Sequence, residues 1–489
     1  MTAVDRLAEW AAGVPGGHGA KAEGRAKLAF LDTIGCSLLG AGNDVAGAAR
    51  QVGGVWGAGG GAQVIGAQDR LAAPWAAMAN AAAAHAYDYD DYEDAANSHP
   101  SAVLVPALLA LGEEEDVDGG ALIDAYIVGI EVLMRVGEAV NLSHYTIGWH
   151  TTSTIGSIGA AAACGRLLRL DAAAMGHAIG LGVSMASGPQ VQFGTMAKPM
   201  HAGFAAKAGV LAAKLAAAGV TASPDALDGP AGFLTLQGGP GARGFEAPLA
   251  KLGRPLGIDE YGLSVKLHPC CGYTHRSIDG LLALRQAHGL GAEAVERVTA
   301  RLPSDQLQVL RYKEPSDEMQ ARFSLPYCLA AALLQGRVTV KDFTPDAIHR
   351  PALREAMGRV VVESHPPMPP DATPADWPPD IVTLALADGR QLRREVDRPR
   401  GSPEDPVGDG EVAEKFLACA EGVISADASG AAVEAIGRLE RLDSLGPLTS
   451  LLSPRDCRPA LDDHLSLSSR SSLRTAGSLT SRSVKVTPS

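Results

Sequence analysis

The sequence predicts a mainly α protein with an α+β module inserted into it, and three observations carry that reading. Apolar residues recur at helical spacing through the first 265 positions, as in Leu28, Phe30, Leu31, Ile34, Leu38 and Leu39. After about residue 265 the pattern becomes strand-like: RVTARL (297–302), RVVVES (359–364) and IVTLALADGRQLRREV (381–396), the last with Asp388-Gly389 as a hairpin turn. Residues 405–450 then return to helical spacing. The expected organisation is a helical domain over 1–265, an α+β domain over 266–400, a helical return over 401–452 and a disordered Ser/Arg-rich tail over 453–489.

Aromatic residues are 4% of the chain against 46% hydrophobic, so Ala, Leu, Val and Gly do the packing and helices approach closely. A helix over 21–42 stops at Gly40 and Gly42, and 52–68 is a glycine-rich interruption without the spacing of a nucleotide loop. Helical pattern resumes over 72–86, then near 101–113, 119–141, 154–168 and 171–187. Within the module, 321–338 is a helix and 365–380 a proline-rich loop.

Three polar junctions interrupt the helices. The stretch AHAYDYDDYEDAANSHPSAVLVPALL (84–109) holds five acidic side chains between Asp88 and Asp94, and His99-Pro100 then opens an apolar run. Pro100 suits a first helical turn, where its missing N–H has no partner to lose. Buried unpaired charge is costly, so such a concentration beside a core segment marks a site. At the second junction His150 precedes Thr151, Thr152, Ser153 and Thr154, which are N-cap candidates. At the third, Lys198 and His201 share a helix face while Lys207 points elsewhere. A helix amino-terminal turn carrying Lys and His is a ready anion site.

A formal charge of −13 argues against a general nucleic-acid surface, while leaving room for a local cationic pocket for small anions. Seven cysteines, Cys36, Cys164, Cys270, Cys271, Cys328, Cys419 and Cys457, form no disulfide framework and no zinc or iron–sulfur spacing. That suits a reducing compartment, and the adjacent Cys270 and Cys271 read as packing residues. The start, MTAVDRLAEWAAG, has no export leader, and no charge-free run reaches a membrane span, so a soluble cytoplasmic protein with no membrane partner is expected. Asp90-Asp91-Tyr92-Glu93-Asp94 also fits the D-D-x-x-D magnesium–diphosphate signature of all-α prenyl-type synthases. A second Asp-rich helical motif is missing from that reading, and aromatics are too few to line a carbocation pocket. A non-catalytic helical scaffold is the remaining alternative outside acid–base catalysis.

Five stretches in order resemble the MmgE/PrpD family: HAYDYDDYEDAANSHPSAVLVPALLALGE, GWHTTSTIGSIGAAAACGRLL, KPMHAGFAAKAGVLAAKLAAAG, KLHPCCGYTHRSIDGLLAL and FSLPYCLAAALLQGRV. The resemblance covers the chain to about residue 450 and implies a large helical domain built from both chain ends, a smaller α+β lid and an active site between them. It further implies a homodimer with no metal and no cofactor. Carried over by motif, the catalytic set is Asp88, His99, His150 and Tyr327, with Lys198 binding substrate. Lys266 and His275 are the lid candidates, Asp91 and His201 are further binding candidates, and Asp90 or Asp91 is an alternative to Asp88.

These residue types suit one chemistry. Lysine holds carboxylates, and imidazole moves a proton near neutral pH. The expected function is a metal-independent lyase or isomerase on a small di- or tricarboxylate. Dehydration of 2-methylcitrate is the first reading, with cis-aconitate decarboxylation or iminodisuccinate epimerisation as alternatives.

Overall fold

The computed structural model describes residues 1–369 and 372–454. Beyond Pro454, the stretch expected to be a disordered tail lies outside the described residues, as do positions 370 and 371 of the proline-rich loop. Among the described residues, no helix is long and apolar enough to cross a membrane.

Two apolar cores organise the chain. The first is built mainly by α1 (Ala20–Gly40), α2 (Ala73–Ala84), α3 (Ser101–Glu114), α4 (Gly119–Val140), α5 (Thr151–Leu167) and α6 (Ala197–Ala217). Small residues set how closely these helices approach. A Cβ on Gly203 of α6 would stand 2.7 Å from the Met78 carbonyl oxygen of α2. That closeness brings the start of α6 against the end of α2, where the first polar junction begins. The glycine-rich stretch read as an interruption instead ends a helix at Trp56 and then forms a short ribbon, β1 (Ala58–Gln63) antiparallel to β2 (Arg70–Leu71). Gly60 makes it possible, because any Cβ there would collide with the Leu71–Ala72 backbone.

The second core contains α7 (His275–His288), β3 (Val295–Leu302), α8 (Leu325–Gln335), β4 (Val360–Ser364), β5 (Asp380–Leu386) and β6 (Gln391–Val396). The sheet order is β4-β3-β5-β6, with β3 and β4 parallel and the other pairs antiparallel. Val382, Leu384 and Leu386 alternate inward along β5, and Gly389 turns the β5–β6 hairpin at φ 85°. Ser324 caps α8, whose end at Gly336 is left-handed. The chain then returns through α9 (Asp409–Ala420), which packs on α1 of the first core. The result is a mainly α protein with a smaller α+β part.

Candidate active site

The acidic loop lies where the two cores meet. Tyr92 and Ser264 exchange backbone hydrogen bonds of 3.0 and 2.8 Å, stitching the loop to the segment that enters the second core. From α9, Lys415 donates to the Tyr89 carbonyl at 2.7 Å and pairs with Asp32 of α1 at 2.6 Å. Asp88 takes a left-handed φ of 53°, which Asp tolerates better than most side chains. Its carboxylate meets two ammonium groups. Lys266 Nζ donates to Oδ1 and to the Asp88 carbonyl, and Lys198 Nζ lies 3.2 Å from Oδ2.

The imidazoles surround this pair. Lys198 Nζ is 2.8 Å from His85 Nε2, and His85 Nδ1 is 2.9 and 3.0 Å from the Asp90 oxygens. His99 Nδ1 sits 2.9 Å from the Asp91 carbonyl and 3.2 Å from Asp90, leaving Nε2 3.6 Å from Asp88 Oδ1. His150 occupies the N-cap of α5, with its Nδ1 3.0 Å from His201 Nδ1. The hydroxyls expected to cap α5 do other work: Thr152 accepts from the His99 N–H at 3.0 Å, and Thr151 donates to the Asn97 carbonyl.

Asp88, His99, His150, Lys198 and Lys266 line one cavity with about 810 Å³ of open space. Its remaining wall includes Tyr145, Phe193, Cys271, Tyr273, Arg276, Trp377 and Arg398. Charge is balanced at the floor. Burial pushes Asp88 upward, but Lys198 and Lys266 outweigh it and hold the carboxyl well below its usual range. Burial likewise opposes ionisation of Asp90, which the two imidazoles beside it keep ionised. Burial lowers His85 to about 4, and it lowers His99 and His150 as well, so all three rings are neutral at rest. Burial also lowers Lys198, whereas Asp88 and Asp90 overcome burial to raise Lys266. The Cys271 thiol is pushed up to about 12 by burial and by Asp88. An entering polyanion adds negative charge beside neutral imidazoles and raises their proton affinity.

Four sequence candidates sit elsewhere. Tyr327 faces the second core from α8, its hydroxyl spent on the Asp342 carbonyl and its ring 5.7 Å from Phe343. His275 opens α7 with Nε2 3.3 Å from the Cys270 carbonyl and its ring against His268, away from the cavity wall. Asp91 turns back to the Ser101 hydroxyl, which also contacts the Tyr126 hydroxyl at 2.7 Å. His201 backs His150 without lining the cavity. Lys207 stacks on Trp75 at 4.4 Å, in keeping with its different helix face.

The D-D-x-x-D reading fails on geometry. Residues 90–94 form no helix, and Asp90 and Asp91 are committed to different partners. The sequence reading missed Arg276, the residue after His275 in the fourth motif, and Trp377, a lone aromatic in the proline-rich loop. It also left Tyr145 and Tyr273 out. These residues complete the wall.

Cysteine spacing in the sequence suggested no zinc or iron–sulfur ligands, yet the fold gathers a set different from D-D-x-x-D: His85, Asp88, Asp90 and His99, with one ligand atom each within 4.8 Å of one another. Two of the four, His85 and Asp88, already face the Lys198 and Lys266 ammonium groups, and Asp90 faces the two imidazoles. A divalent ion would have to displace both lysines against direct charge repulsion, so the donor set does not fit a resident metal. Turnover is therefore expected to survive exhaustive EDTA treatment, measured before and after dialysis. Loss of turnover restored by added magnesium or iron would sink this view.

Fold and site together define an acid–base enzyme of the lyase and isomerase kind, with its cavity between a helical core and an α+β lid. The chain belongs to the MmgE/PrpD family: residues 5–242 match the model of the MmgE/PrpD N-terminal domain and 268–440 that of the C-terminal domain. It is 31% identical to a cis-aconitate decarboxylase of Mus musculus over 471 residues, covering 92% of each chain. It is also 31% identical to a Homo sapiens cis-aconitate decarboxylase, covering 88% of this chain and 89% of the relative. An Aspergillus terreus cis-aconitate decarboxylase is 27% identical over 88% of this chain and 91% of its own.

Proposed function

We propose that the protein decarboxylates cis-aconitate. The observation that carries this reading is the near full-length similarity to three cis-aconitate decarboxylases. It favours decarboxylation over dehydration of 2-methylcitrate, the first reading of the sequence. The cavity chemistry supports it. Of the three substrate carboxylates, one sits on a saturated carbon next to the alkene. When its C–C bond breaks, CO2 leaves and the electron pair forms a new C=C to the central carbon. The former alkene electrons take a proton at the far carbon. One trianion and one proton give one dianion, methylenesuccinate, and one CO2.

Lys198 and Lys266 hold carboxylates in this scheme, and His99 supplies the proton from Nε2. Its Nδ1–H is anchored on the Asp91 carbonyl, so Nε2 is the position free to gain and lose a proton. Asp88, 3.6 Å away, stabilises the imidazolium formed when substrate enters. The test is proton NMR of purified enzyme with cis-aconitate, 2-methylcitrate and iminodisuccinate in turn. Methylenesuccinate from the first, in unbuffered solution that turns alkaline, is the expected result. Water loss from 2-methylcitrate with cis-aconitate untouched would return the dehydratase reading.

A homodimer is the partner state we propose. Trp56 and Phe204 are exposed; Trp56 packs on Trp75, and Lys207, three residues after Phe204 on α6, stacks on the same Trp75 ring. Sedimentation equilibrium should give twice the chain mass, and Phe204→Glu should reduce it to one. Six free, buried cysteines among the described residues support a reducing, cytoplasmic setting.

A further inference from the structure

An ammonium group has three N–H donors and no acceptor. For Lys198, one donor is taken by His85 Nε2 at 2.8 Å, and Asp88 Oδ2 pairs with the ammonium at 3.2 Å. The rings of Phe193 and Phe323 stand 5.6 and 5.3 Å from Nζ and enclose it with apolar walls. That leaves donor capacity for a carboxylate in the cavity that Lys198 lines. This accounting holds only while His85 Nε2 carries a lone pair. Asp90 supplies that condition. Both its oxygens lie within 3.0 Å of Nδ1, and a carboxylate only accepts, so the ring proton stays on Nδ1.

We infer that His85, held in one tautomer by Asp90, is a positioning residue that aims the Lys198 ammonium at a substrate carboxylate. It touches no substrate itself, being absent from the cavity wall. The inference rests on the polycarboxylate reading above. The other charged or titratable groups facing this cluster are Lys266 and Cys271 from the second core, Asp88, Asp90 and His99 from the acidic loop, His150 from α5, and His201 from the same helix as Lys198. All of them stay in place when only the His85 acceptor is removed.

Two substitutions separate the acceptor from the bulk of the ring. In His85→Gln the amide oxygen reaches the Nε2 position, whereas in His85→Asn the amide reaches only the Nδ1 position. The probes are cis-aconitate for turnover and propane-1,2,3-tricarboxylate, which has no alkene, for calorimetric binding. His85→Gln is expected within about threefold of wild type in both, and His85→Asn to raise KM and Kd by about tenfold or more with a much smaller change in kcat. The alkaline loss of propane-1,2,3-tricarboxylate binding should also begin at lower pH in His85→Asn, because the ammonium has lost an acceptor that favours its charged form.

Equal losses in both variants, or unchanged binding in His85→Asn, overturn the inference. Should His85→Asn fail to fold, nitrogen-15 histidine spectra of the wild type decide, with the His85 signals assigned from His85→Gln. A protonated Nδ1 and bare Nε2 support the inference, and a protonated Nε2 overturns it. Failure of the wild type to bind either tricarboxylate overturns the polycarboxylate reading itself, and this inference with it.

Discussion

His99→Gln is expected to lower kcat by roughly 10²–10⁴-fold, the range for a lost general acid, with the fold intact. Decarboxylation needs a proton at carbon in every turnover, and a glutamine amide cannot supply one. The ring lies in the loop with Nδ1 tied to the Asp91 carbonyl, so the change removes a proton carrier and leaves the core alone. His150→Gln should also fall, since its ring lines the same cavity beside Phe193. The pH profile adds a sign. Burial lowers the His99 pKa in the free enzyme, and bound carboxylates raise it. The basic limb of kcat should therefore lie at higher pH than that of kcat/KM in the wild type. Steady-state kinetics across pH, with circular dichroism on each variant, checks both points. Near wild-type kcat in His99→Gln would remove this residue from the mechanism.

Asp88→Asn and Asp91→Asn are expected to differ sharply, although the two acids are three residues apart. Asp88 neutralises two buried ammonium groups, so its loss should cost about 3–5 kcal/mol of stability. Asp91 is the reverse. Burial, reinforced by Asp32, raises its pKa well above the usual carboxylate value, which favours the protonated form in the fold. An amide has nearly the shape of a protonated carboxyl, and Asp91→Asn should be neutral or mildly stabilising near pH 7.

The linkage signs follow from those directions. With its folded pKa depressed, Asp88 contributes stability that is present above its unfolded pKa of about 3.9 and is lost as pH falls through the folded value. Asp91, raised in the fold, favours folding most below about pH 3.9 and progressively less as pH climbs toward its folded value. Urea titrations of both variants between acid and neutral pH measure this. Equal destabilisation by the two would contradict the opposite pKa directions of Asp88 and Asp91.

Much of this architecture is visible in residue patterns. Helical spacing marks the first core, and Asp388-Gly389 marks the hairpin, because both signals are local. The five cavity residues Asp88, His99, His150, Lys198 and Lys266 stand in the motifs carried by the family resemblance. Direction is what the motifs do not encode. Tyr327 stands in a matching S-L-P-Y, yet its helix turns it toward Phe343. Asp88 and Asp91 share a loop without periodicity, and the left-handed φ that parts them has no sequence signature outside glycine. Trp377 and Arg398 reach the cavity from positions far along the chain, so only tertiary packing reveals them. The four-residue cluster with metal-like spacing is equally a product of folding, since His85 and His99 come together from opposite ends of a loop.

The grip of Lys415 on the Tyr89 carbonyl spans 326 positions of sequence. During synthesis, the acidic loop leaves the ribosome long before its support does. At about 5–20 residues per second, the gap is roughly 16–65 s. Throughout that interval the helices of the first core can pack, while the loop that carries Asp88 gains Lys266, 178 positions on, well before Lys415. The support from Lys415 comes only when the returning helix docks. A nascent chain released before that point carries every charged cavity residue from Asp88 to Lys266 on a loop without that brace.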